Sequence, residues 1–109
     1  MAVKRKPKMG NGSTVVVKRP ASCAGAIRRV LSKIPEIDAV FLLRDDANVI
    51  HVFSVVREFQ ARIYDRLLKK EHAIEEDLPE SAFEFHVRAH QGREPAQSVP
   101  FEAELVYAR

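Results

Sequence analysis

The chain has 109 residues, 46% apolar, 30% charged and 7% aromatic, which suits one ordinary soluble domain and is too apolar for wholesale disorder. Its single cysteine, Cys23, excludes an internal disulfide and any CxxC metal or redox site, so a reducing, cytoplasmic setting is expected. The net charge of +3 is unevenly spread: residues 1–35 carry nine Lys/Arg and no acid, whereas residues 36–109 carry nine Lys/Arg against fifteen Asp/Glu.

Residues 1–12 hold Lys4, Arg5, Lys6 and Lys8 among Pro7, Gly10 and Gly12, with little apolar surface to offset the entropy of ordering them. They are expected to form a flexible basic tail ahead of a single α+β domain over residues 13–109. No strictly apolar run before position 40 is longer than Val15 to Val17, so neither a signal-peptide core nor a spanning segment is expected. The β-branched stretch Ser13 to Lys18 fits a short strand.

Ala24, Ile27, Leu31 and Ile34 recur at helical spacing, which predicts an amphipathic helix over Ala21 to Ile34, stopped by Pro35. Its cations Arg28, Arg29 and Lys33 lie in the half where the helix dipole favours them. Two apolar runs, Ala39 to Arg44 and Val49 to Arg57, flank Asp45-Asp46-Ala47-Asn48, residue types that satisfy their own backbone, and together they predict a β-hairpin. The second run is apolar on both faces. Val49, Phe53 and Val55 alternate with Ile50, Val52 and Val56, so a central position with both sides covered is expected.

Phe59, Ile63, Leu67 and Ile74 predict a second helix over Phe59 to about Ile74, its stripe widened by Tyr64 and Leu68 and its acidic end fraying before Pro79. Ala82 to His90 alternates cleanly, with Phe83, Phe85, Val87 and Ala89 opposite Glu84, His86, Arg88 and His90. A last strand or edge segment is expected after Pro100. This order of elements points to a ferredoxin-like βαββαβ sandwich, two helices on one face of an antiparallel sheet, with an appended C-terminal strand. The helix-free sheet face then needs covering by residues 100–109 or by a second copy, the latter a homodimer through Val49, His51, Phe53 and Val55.

The stripe of Glu84, His86, Arg88 and His90 attracts chemical interest, but along one strand His86 and His90 stand about 13 Å apart and cannot share an ion. His86 and Arg88, with His51, are the candidate ligand-binding residues, against the plainer reading of a solvated sheet face. Asp45 and Asp46 read as turn residues rather than a magnesium pair, and His72 with Glu75 as a solvated helix end. Cys23 reads as a small buried side chain. No phosphate-cradling glycine motif and no nucleophile elbow occurs, so no catalytic residue, metal or cofactor is assigned. The leading expectation is therefore a small binding or assembly module, homodimeric and not membrane-embedded. The alternative is a nucleic-acid-associated protein making weak, nonspecific phosphate contacts through Lys4, Arg5, Lys6, Lys8, Arg28 and Arg29. An enzyme using His86, Arg88 and His51 is the third.

Overall fold

The computed structural model describes residues 20–109, so the basic tail and the strand expected over Ser13 to Lys18 lie outside it. Helix α1 spans Pro20–Leu31 and buries Cys23, Ala26, Ile27 and Leu31 while Arg28 and Arg29 face water. One further turn, in which the Ile34 N–H donates to the Leu31 carbonyl at 3.1 Å, carries the chain past Pro35. Strands β1 (Ile37–Arg44) and β2 (Val49–Val56) form the expected hairpin. The turn is built by Asp45, whose Oδ1 accepts from the Ala47 and Val49 N–H groups at 2.9 and 3.0 Å. Asn48 takes the left-handed conformation (φ 69°) that asparagine tolerates.

Helix α2 spans Ala61–Asp77 and buries Ile63, Leu67 and Ile74. Phe59 precedes the helix, and Phe59, Tyr64 and Leu68 are exposed rather than part of the buried stripe. The helix also runs on through Glu75, Glu76 and Asp77. It is anchored there by buried Leu78, whose N–H donates to the Ile74 carbonyl at 3.0 Å. Strand β3 (Ala82–Ala89), a short 3-10 helix (Pro95–Ser98) and strand β4 (Glu104–Ala108) complete the described residues.

The four strands form one mixed sheet in the order β3-β2-β1-β4, with β3 parallel to β2 and the other pairs antiparallel. The described residues are thus α+β with two α-helices, and the expected all-antiparallel ferredoxin-like sheet is corrected in one respect. A split βαβ places another strand between β2 and β3, whereas here α2 returns the chain to pair directly beside β2. The local pattern of each element is the same in both topologies, so only the pairing distinguishes them.

Both helices lie against one sheet face, where Ile27, Leu31, Ile63, Leu67 and Ile74 pack with Ile37, Val40, Ile50, Val52 and Val56. The opposite face has its own apolar cluster of Ala39, Phe41, Phe53 and Val55, closed by Leu43, Val99 and Ala103. β2 is therefore covered on both sides, as its composition requires, and the second layer comes from this chain's own segment after β3. Phe53 and Val55 are buried without a second copy, while Val49 and His51 are half-buried.

An irregularity between Ile37 and Ala39 inserts Asp38 into β1 as a bulge. Asp38 receives Arg109 Nε at 3.3 Å and faces His90 Nε2 at 2.7 Å. The Gly92 N–H donates to His90 Nδ1 at 2.9 Å, so the Nε2 proton is the one given to Asp38. His90 therefore ends buried and satisfied rather than on a solvated stripe.

On α2, burial together with the neighbouring charge of Glu75 pushes the Glu71 carboxyl up from 4.5 to about 7. The folded state holds this proton more tightly than the unfolded chain. The resulting stability is fully present below the unfolded value and is lost as pH rises through about 7. Glu71→Gln is expected to flatten that decline, raising the melting temperature at about pH 8 and changing it little at about pH 4. Melting curves across this range check it; a variant that tracks the parent at every pH contradicts it.

Candidate functional site

The helix-free sheet face is apolar at its centre and polar at one corner, where the hairpin turn meets β3. Parallel pairing sets His51 opposite Glu84, Phe53 opposite His86 and Val55 opposite Arg88. Side chains at these positions share one face because the strand period is two. His51 Nδ1 comes within 2.9 Å of His86 Nε2, the two rings nearly parallel with centroids 5.2 Å apart. Glu84 Oε1 lies 3.2 Å from the same His51 nitrogen and 3.5 Å from His86 Nε2.

His51 is also held from behind. Its Nε2 meets Asp45 Oδ2 at 2.8 Å, the carboxylate whose other oxygen is fixed by the turn N–H groups. These hydrogen bonds, that to His51 first, hold the Asp45 carboxyl below the usual range, so it accepts, and His51 Nε2–H donates. His86 is seated on the Phe53 ring at 4.7 Å, and the Arg88 guanidinium caps the same ring at 5.3 Å. Burial, with Arg88 and His51 nearby, lowers the His86 pKa and favours its neutral form. The histidine side chains are 18% and 23% exposed, enough for a small ligand to reach them, while Glu84 stands well out at 62%.

The three candidate residues His51, His86 and Arg88 thus share one corner, although His51 and His86 are 35 positions apart in the chain. Glu84 and Asp45 complete the corner. Glu84 belonged to the noted stripe, but its role emerges only from the β2–β3 register, and Asp45 was read as a turn residue, which it also is. Asp46 is exposed and has no such partner among the described residues. His72 reaches Glu75 at only 3.9 Å on an open helix surface. Of the residues named for phosphate contact, Arg28 and Arg29 are exposed on α1, and Lys4, Arg5, Lys6 and Lys8 lie outside the described residues. No described helix is long and apolar enough to cross a membrane. No protein-family model matches this chain, nor does any curated protein or solved structure.

Proposed function

We propose that this chain is a small α+β binding module whose ligand seat is the polar corner formed by His51, His86, Glu84 and Arg88. One observation carries the reading: two half-buried imidazoles meet at 2.9 Å beside a carboxylate, at the margin of an apolar cluster on the same sheet face. Convergent ring nitrogens on a partly dry surface are the kind of polar group that fixes a small polar ligand. A binding role fits better than turnover, because among the described residues no hydroxyl or thiol is hydrogen-bonded to either histidine. The buried free thiol of Cys23 suits a reducing, cytoplasmic setting.

Homodimerisation is the second reading, favoured at the other side of the same face. A groove of about 580 Å³ there is lined by Ala39, Phe41, Leu105 and Ala108, Leu105 is 56% exposed, and β4 is an edge strand. The basic arm remains the proposed route to any nucleic-acid contact.

Native mass spectrometry of protein purified from its own host reports subunit number and retained small molecules together. The parent chain is expected to carry a ligand that the triple variant H51A/H86A/R88A, folded to the same circular dichroism spectrum, has lost. The same ligand mass increment, or none, on both proteins overturns the corner as the ligand seat.

A further inference from the structure

Among the described residues, His51, Glu84 and His86 are the group whose potential ligand atoms all lie within 4.8 Å of one another. Their separations are 2.9, 3.2 and 3.5 Å. Neighbouring ligands held about 2.1 Å from one ion stand about 3.0 Å apart in octahedral and about 3.4 Å apart in tetrahedral geometry. The three atoms therefore already lie at the spacing of one face of a coordination polyhedron. We propose that His51 Nδ1, His86 Nε2 and Glu84 Oε1 bind one divalent transition-metal ion of the zinc type, a reading that rests on this corner being the ligand seat.

Proton accounting supports it. With His51 Nε2–H given to Asp45, a neutral His51 presents a bare lone pair at Nδ1. That lone pair faces the Glu84 oxygen, also an acceptor, and His86 Nε2 supplies at most one proton to the cluster. With His51 in that form, three electron-pair donors converge with at most one hydrogen between them, an arrangement that a cation relieves. Asp45 occupies the place of the carboxylate that orients a metal-bound imidazole and raises its basicity.

Two imidazoles and one carboxylate select zinc, iron(II), cobalt or nickel over magnesium and calcium, which take oxygen ligands. Three protein ligands leave at least one coordination position open to water or an acidic ligand, unlike a closed four-residue structural site. Arg88, two residues beyond His86 on the same face, holds its positive charge over the Phe53 ring that also seats His86.

The test is isothermal titration of the full chain with Zn²⁺, and with Co²⁺ as a visible-absorption probe, after chelator treatment. Saturation at one ion per chain is expected. Affinity should fall at least about 100-fold in His86→Ala and about 10- to 100-fold in Asp45→Asn, whose side chain touches His51 but not the ion. His72→Ala, remote from the corner, should bind as the parent does, and a millimolar excess of Mg²⁺ should not compete. Circular dichroism of each variant establishes that it folds.

Absence of saturable binding by the folded parent overturns the metal site, as does equal affinity in folded His86→Ala. If metal binding fails while the host-purified parent still carries a ligand that H51A/H86A/R88A lacks, the metal assignment falls alone. If both fail, the seat itself falls.

Discussion

Phe53→Ala is expected to cost about 3–5 kcal/mol of folding stability, the range for truncating a buried aromatic side chain. Phe53 is 3% exposed and occupies the centre of the second apolar cluster, between Phe41 across the hairpin and Val55 along its own strand. Its ring is also the platform for His86 and the surface capped by Arg88, so the substitution removes the support of the polar corner with the core. Chemical denaturation measures the loss. Phe101→Ala is the matched control: that ring is 91% exposed, and its removal should stay within about 0.5 kcal/mol. Equal effects from the two substitutions would contradict the assignment of the second core.

Truncation after Arg93 is expected to have the larger effect still, leaving no cooperatively folded monomer. It removes β4, which pairs with β1 from Leu42 to Ala39, and with it Val106 and Tyr107, which pack against the main core. It also removes Val99 and Ala103 from over the second face and the Arg109 contact with Asp38. Ala39 and Phe41 are then uncovered beside a long, newly exposed strand edge, a combination that promotes association between chains. Sedimentation and thermal melting of the truncated protein read the result; a monomer melting with the cooperativity of the parent contradicts it.

Local structure was legible in the sequence because its signals are local. The Asp45 to Asn48 segment stated its turn through side chains that bond their own backbone, and the alternation from Ala82 to His90 assigned side chains to faces, with His90 buried against Asp38 instead of on the polar stripe. The two-sided apolar character of β2 correctly required a second layer. What alternation does not encode is which strand lies alongside. Direct parallel pairing of β2 with β3 and a split arrangement need the same residues in each strand, so the sheet order escaped the pattern. The helix stripe was drawn too wide for a related reason: Tyr64 and Leu68 have helical spacing but fall beyond the strip of α2 that meets the sheet.

The candidate site was half legible for the same cause. His51, His86 and Arg88 could be named as unusual polar residues on strands, yet a distance along one strand says nothing about a neighbour across the ladder. Rejecting a metal from the His86 to His90 spacing was sound for that pair, and His90 is indeed committed to Asp38. The three donors come together through register, with Glu84 opposite His51 and His86 two residue pairs further along. Asp45 was hidden by having two uses, one oxygen closing the turn and the other holding His51.

On the proposed reading, His51 Nδ1 and His86 Nε2 hold one divalent ion, while His90 is a structural residue. Nitrogen-15 imidazole spectra of the full chain, recorded as Zn²⁺ is added, test it most directly. Displacement of the His51 Nδ1 and His86 Nε2 resonances together, with both His90 resonances unmoved, is the predicted result. Movement of His90 or His72 instead, or of no imidazole at all, would contradict the assignment of the ion to this corner.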